Sequence, residues 1–323
     1  MQNHNEELPL SYAQQRLWFL DQLQPNSPLY NIPLALRLVG TLNRAALAQS
    51  LKEIIDRHEA LRTNFMTIDG QPAQIIQTEI NWTVSVVDLQ HLSTLVLSEV
   101  EVTEQESAAQ QLAQKQAIQP FDLASESLVR ATLVVLSETE HLLLVCMHHI
   151  VSDGWSMGVF FQELAALYNA YSIGQRTPLE PLAIQYADFA IWQREFLQGD
   201  LLQSQLSYWQ KQLKDAPALL SLPTDRPRPA VQTFVGAHQK FALSVELTQK
   251  LTKLSQEQEV TLFMTLLAAF DTLLYRYTGQ SDIVVGAPIA NRNYGEIEAL
   301  IGFFVNTLVM RTNLEGILDL VNY

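Results

Sequence analysis

The sequence predicts a mixed α/β protein, of the α+β or open α/β kind, with helices packed on sheets. Three observations carry this. Runs with apolar residues three and four apart alternate with short apolar, partly β-branched runs along most of the chain. At 323 residues and 48% hydrophobic content, the chain can bury a large core in one big or two medium domains. A stretch with linker-like Gly and Pro spacing, Ser172-Ile-Gly-Gln-Arg-Thr-Pro178-Leu-Glu-Pro181, follows Tyr171 and divides the chain into 1–174 and 175–323.

The elements follow in order. Leu10 to Leu23 is a helix capped by Ser11, with Leu17, Leu20 and Leu23 on its apolar face. Ile32 to Val39 alternates as a strand. Asn43 caps a helix to Arg57 that turns Leu47, Leu51, Ile54 and Ile55 inward. Asp69-Gly70 marks a hairpin. Trp82 to Val87 reads as a strand, and Gln105 to Ile118 as a helix burying Ala108, Leu112 and Ala117. The acidic run near Glu99 to Glu106 reads as a solvated helix face. Leu128 to Leu136 and Leu142 to Met147 form a hairpin through Ser137 to Glu140, and Gly154 to Tyr171 is an amphipathic helix.

In the second half, Tyr186 to Trp192 and Leu201 to Leu213 are helical, and Leu222 to Pro229 is proline-stiffened. Lys240 to Leu243 reads as a strand and Val245 to Gln256 as a helix. Leu262 to Tyr277 is hydrophobic nearly all round, which predicts a buried helix ended by Gly279. Asp282 to Pro288 reads as a buried strand, and Leu300 to Arg311 as an apolar one. In the latter, Gly302 suggests a bend and Asn306 a polar anchor, or else a bulge at an edge.

Composition excludes several functions. A net charge of −14 argues against nucleic-acid binding, which needs a basic footprint. No apolar run is long enough for a membrane span. The start, Met1-Gln-Asn-His-Asn-Glu-Glu, is no secretion signal. The single cysteine, Cys146, allows no disulfide within the chain, which suits the cytoplasm. Its place in an apolar strand favours burial over a nucleophilic role. No Cys/His cluster has zinc spacing and no glycine-rich loop fits a phosphate, so neither a metal nor a bound cofactor is expected.

The chemistry concentrates in Val145-Cys-Met-His148-His149-Ile-Val-Ser-Asp153-Gly154-Trp155, at a strand-to-helix junction. A neutral imidazole there can take a proton from an amine or alcohol attacking a carbonyl. Adjacent residues leaving a strand point opposite ways, so the two histidines cannot share one job. Asp153 stands where a helix N-cap would, and it could also lock the loop by pairing with an arginine. Two core histidines and a plain cap remain the bland alternative.

His148-His149-Ile-Val-Ser-Asp153-Gly154 resembles the HHxxxDG motif of the chloramphenicol-acetyltransferase-like acyltransferase superfamily, which includes the condensation domains of nonribosomal peptide synthetases. Four further stretches narrow this to condensation domains. Ser11-Tyr-Ala-Gln-Gln-Arg16-Leu-Trp18-Phe-Leu20 resembles SxAQxRLWxL, and Arg57-His-Glu-Ala-Leu-Arg62-Thr-Asn-Phe65 resembles RHExLRTxF. Tyr186-Ala-Asp-Phe-Ala-Ile-Trp192 resembles YxDFAxW, and Ile301-Gly-Phe-Phe-Val-Asn306-Thr-Leu-Val-Met-Arg311 resembles IGxFVNTxxxR. The first stretch is also similar to the subtype that joins an L-donor to an L-acceptor. Without the resemblance, Arg57 and Arg62 are cations at a helix C-terminus, and the aromatics of 186–192 are packing residues.

The resemblance implies two chloramphenicol-acetyltransferase-like halves in a V-shaped pseudo-dimer, the second incomplete, because the family continues past the fifth motif whereas this chain runs Gly316-Ile-Leu-Asp-Leu-Val-Asn-Tyr323 and stops. It implies amide formation between thioesters on the phosphopantetheine arms of donor and acceptor peptidyl carrier proteins, with an adenylation domain adjacent. His149 would accept a proton or orient the amine. His148 and Asp153 would be structural, and Gly154 N–H would steady the oxyanion. Arg292 is the first choice to pair with Asp153 and Arg62 the second; Trp155 and Asn306 would support the site. The alternatives are a truncated, non-catalytic remnant or carrier-docking fragment, and a free-standing acyltransferase using a small-molecule thioester.

Overall fold

The computed structural model describes residues 8–78, 81–92, 103–230, 236–237 and 239–315. Part of the Glu99 to Glu106 run, and all of 316–323, lie outside them. The chain divides into two compact units, Met1–Gln198 with Ala290–Asn306, and Gly199–Ile289 with Thr307–Tyr323. The boundary set from composition at 174/175 therefore differs from that of the compact units. The Gly/Pro stretch is a surface connection inside the first unit, and the chain returns to that unit at Ala290.

The first unit is built on a four-stranded sheet in the order β2 (Asn31–Val39), β7 (Glu140–His148), β6 (Val129–Val135), β5 (Ser85–Asp88). Only the β5–β6 pairing is parallel. β7 is central and reads Leu-Leu-Leu-Val-Cys-Met, a run that suits a strand covered on both faces. Leu143, Leu144, Val145, Cys146 and Met147 are all fully buried, each worth about 1.5–3 kcal/mol of transfer free energy for the larger side chains. A second sheet pairs β1 (Leu8–Pro9), β4 (Gln71–Ile76) and β3 (Thr63–Ile68). Asp69 at φ 48° and Gly70 at φ 80° turn β3 into β4, both left-handed as a two-residue hairpin requires.

Helices cover these sheets. Ser11 caps α1 (Tyr12–Leu23) with Gln14 completing a capping box, and Asn43 caps α2 (Arg44–Arg57). Leu47, Leu51, Ile54 and Ile55 are buried from α2, as their spacing predicts. α3 (Glu104–Ile118) starts with Glu104 and Glu106, favourable charges at a helix N-terminus. α4 (Gly154–Ser172) buries Phe160, Leu164 and Leu167, and α5 (Tyr186–Phe196) buries Tyr186, Ala187, Phe189 and Ala190.

The second unit holds α6 (Gly199–Gln212), α7 (Val245–Glu257), α8 (Leu262–Thr278) and a two-stranded sheet, β8 (Asp282–Ile289) with β9 (Asn306–Asn313). Its small core joins Leu274, Ile283 and Leu314. Arg311 grips Asp282 through both carboxylate oxygens, at 2.9 and 2.6 Å, and holds the carbonyls of Gln212 and Lys214.

The structure corrects four expectations. Lys240 to Leu243 is not a strand; no strand among the described residues pairs with it, and Phe241 is 85% exposed. α8 is not buried all round: of its residues only Asp271 and Leu274 are. β8 buries Ile283 alone. The strand expected from Leu300 starts at Asn306, and 300–305 has no ladder. No single helix among the described residues is long and apolar enough to cross a membrane.

Candidate active site

β7 delivers the two histidines. His148 is its last residue, paired with Asn31 of β2, and His149 opens a 3-10 turn to Val151. Leaving the ladder between them sends the two rings to different places. His148 goes into the core, 3% exposed, edge-on to Tyr30 and Phe121. Its Nδ1 accepts the Ile150 N–H at 3.1 Å. Burial, followed by repulsion from His149, pushes its pKa down to about 3, so the ring is neutral.

His149 is half-buried. Its Nδ1 lies 2.8 Å from the Ser152 carbonyl oxygen. A carbonyl can only accept, so Nδ1 carries the hydrogen and Nε2 keeps a lone pair. The Phe303 ring meets the imidazole edge-on, with centroids 4.7 Å apart.

Asp153 is fully buried and caps α4. One oxygen accepts the Ser156 N–H at 2.8 Å and lies 3.3 Å from Arg292 Nη2; the other accepts the Phe304 N–H at 3.0 Å. Arg292 also donates to the carbonyls of Ile297 and Leu300 and to Ser156 Oγ, and lies flat enough on Phe304 to sit 4.0 Å from its ring centre. Burial lowers the Arg292 pKa, while Asp153 opposes that shift. Arg62 is not brought to this cluster; it pairs with Glu59 at 3.2 Å and the Gln77 carbonyl at 2.5 Å. Gly154 is the exposed first residue of α4, where backbone N–H groups lack helical acceptors. Trp155 is half-exposed and donates Nε1–H to the Glu298 carbonyl at 2.9 Å. Asn306 is exposed at the first position of β9. A cleft of about 710 Å³ lies beside this turn, lined by Gly154, Trp155, Gly158, Val159 and Gln162 of α4.

Sequence reasoning missed a second buried polar group. His58 Nδ1 accepts the Ile301 N–H at 3.2 Å, so its hydrogen is on Nε2, which donates to Glu163 at 2.9 Å. Arg57 Nε holds the other Glu163 oxygen at 2.9 Å. Burial raises the Glu163 pKa, but the hydrogen bonds from His58 and Arg57 outweigh it and the carboxyl stays below its usual range. His58 was visible only as part of a helix end. Ser156 and Tyr186 were missed as polar anchors too; a serine three residues after an N-cap aspartate was the available signal for the first. Cys146 is buried, its thiol pushed up to about 11 by burial, which leaves it inert. Among the described residues no group of His, Cys, Asp and Glu could hold a metal ion.

A central antiparallel sheet, a strand-end histidine with a free Nε2 and a buried Asp–Arg lock define an acyltransferase-like site in a mixed α/β protein. The family is then fixed by comparison: a family model described as Condensation domain matches residues 4–323, and the chain belongs to that family. It is 52% identical over 312 residues to part of the linear gramicidin synthase of Brevibacillus parabrevis, covering 97% of this chain and 4% of that protein. It is 48% identical over 314 residues to malpinin synthetase of Mortierella alpina, again 97% of this chain and 4% of the other. The X-domain from teicoplanin biosynthesis is similar in structure, with a TM-score of 0.84 at 30% identity over 98% of this chain and 68% of that one. The first condensation domain of the calcium-dependent antibiotic synthetase, at 23% identity and a TM-score of 0.77 over 96% and 71%, shares the fold. The chain thus spans a small part of the curated relatives it matches.

Proposed function

We propose that this chain forms a peptide (amide) bond in nonribosomal peptide biosynthesis. The amine of an aminoacyl thioester on an acceptor carrier protein attacks the carbonyl of an aminoacyl or peptidyl thioester on a donor carrier. The new C–N bond forms as the C–S bond breaks; the donor arm leaves as a thiol and the lengthened chain stays on the acceptor. The observation that carries this is the tautomer of His149, because Nδ1–H on the Ser152 carbonyl leaves Nε2 as an acceptor for the amine proton. Thioesters already react with amines, so orienting the amine supplies much of the acceleration and Nε2 serves either as base or as guide. Gly154 N–H, at the positive end of α4, steadies the oxyanion. Asp153 and Arg292 hold the turn that carries both groups, with Trp155 and Asn306 in support.

The substrates arrive on phosphopantetheine arms of partner carrier proteins, and the domain needs no metal or cofactor of its own. An adenylation domain adjacent in the longer protein, a cytoplasmic setting and an L-donor, L-acceptor preference complete the reading. A second reading is a protein-docking module. It is favoured by the likeness, at 31% identity and a TM-score of 0.84, to the X-domain solved in complex with OxyB from teicoplanin biosynthesis. A single-turnover condensation assay with loaded donor and acceptor carriers separates the two. His149→Ala, placed in the full synthetase, is expected to lower the rate by about a hundredfold or more. An unchanged rate rejects the catalytic reading and leaves the docking one.

A further inference from the structure

Residues 300–304 belong to no helix or strand, yet all five are buried. Their peptide groups are taken one after another by side chains. The Leu300 carbonyl accepts from Arg292 at 2.8 Å, and the Ile301 N–H donates to His58 at 3.2 Å. The Gly302 N–H donates to Ser156 Oγ at 3.1 Å. The same hydroxyl lies 2.8 Å from the Gly302 carbonyl and 2.7 Å from Asp153, and its single proton serves one of them at a time. The Phe303 carbonyl accepts from Tyr186 at 2.5 Å, and the Phe304 N–H donates to Asp153 at 3.0 Å. The anchors come from the end of α2, the start of α4, the start of α5 and Arg292. Orphaned backbone groups at this depth would each cost about 1–3 kcal/mol, so a non-ladder segment can sit here only because side chains replace the ladder.

The approach is close. A Cβ on Gly302 would stand 2.0 Å from the Tyr186 ring, which no side-chain adjustment of a buried tyrosine accommodates cheaply. The segment is thereby fixed in register, and Phe303 is the residue it points at His149. Phe303 is 3% exposed, packs with the main core of the unit and meets the imidazole edge-on. Ser152 fixes one nitrogen of the ring, but a single hydrogen bond still allows the plane to swing; the aromatic contact removes that freedom. Phe303 also occupies the open position of the IGxFVNT pattern, so the resemblance assigns it no role.

We propose that Phe303 is a positioning residue that sets the plane of the His149 imidazole, and that the captured segment 300–304 exists to hold it there. The inference rests on the condensation reading for its kinetic consequence, but not for its geometry. The test uses Phe303→Leu and Phe303→Met, swaps that keep apolar bulk and cost less than about 1.5 kcal/mol when volume is conserved. Two variants guard against one failing to fold. The readouts are the proton shifts of the His149 ring, assigned by their loss in His149→Ala, and the single-turnover rate across acceptor concentrations. The expected result is loss of the aromatic ring-current displacement at His149 together with a rate at saturation lower by about tenfold, the half-saturating acceptor concentration being unchanged. Unmoved shifts overturn the proposal whatever the rate does. Moved shifts with a wild-type rate overturn it as well. If the wild-type chain condenses nothing, the catalytic reading fails separately, and the shifts alone decide whether Phe303 sets the ring.

Discussion

α4 and α8 are both long, apolar helices, and they meet opposite fates. α4 buries Ser156, Phe160, Glu163, Leu164, Leu167 and Ala170, so its inward face includes two polar side chains. α8 buries Asp271 and Leu274, and leaves Phe263, Met264, Leu266, Phe270, Leu273 and Tyr277 at 42% exposure or more. Apolarity therefore does not decide burial; a partner surface does. α4 has a four-stranded sheet, α2 and a set of matched polar partners. Among the described residues, the unit of α8 supplies a two-stranded sheet and a core of a few side chains. The polar groups mark the well-packed helix because each of them has a partner, and an unpartnered one could not be tolerated at that depth.

Breaking the polar core should produce the largest effect. Asp153→Ala leaves Arg292 buried beside a lost carboxylate and strips the Phe304 N–H, so a loss of about 3–5 kcal/mol is expected in urea unfolding. A loss below about 1 kcal/mol would mean the cluster contributes little. The next effect depends on pH. The folded His148 pKa of about 3 lies below an unfolded value of roughly 6.5, so the unfolded chain binds a proton that the folded one refuses. Stability from this group is full above that unfolded value and is lost as pH falls toward the folded one. His148→Asn should therefore flatten the fall in stability between about pH 7 and pH 5 by about 2 kcal/mol, read from unfolding curves at both. The smallest effect belongs to α8. Phe263→Ser, at a site 56% exposed, should change stability by no more than about 0.5 kcal/mol. A larger loss would show that this face is covered in solution.

The same contrast explains what could be read from the sequence. The helices of the first unit and their inward faces were legible because caps such as Ser11 and Asn43 and the spacing of Leu47, Leu51, Ile54 and Ile55 are local signals. Asp153 and Arg292 were matched as a pair across 139 positions only through a resemblance, since no local rule links them. Segment 300–305 was misread as a strand because apolar runs look alike whether a ladder or side chains take their peptide groups. Tyr186 was read as packing; its hydroxyl, 2.8 Å from Ser11 and bonded to Phe303, depends on residues over a hundred positions away on either side. α8 was misplaced for the opposite reason: its sequence states that it is apolar, not what covers it.

Condensation at this site turns on one of two neighbouring histidines having a free Nε2. Long-range proton–nitrogen correlation spectra of the histidine rings at neutral pH test this directly, with His149 assigned by its loss in His149→Ala. The prediction is a neutral His149 with the hydrogen on Nδ1 and a non-protonated Nε2, beside a neutral His148 with the opposite tautomer. A His149 ring carrying its hydrogen on Nε2 would have no lone pair to offer the incoming amine, and that result would contradict the assignment.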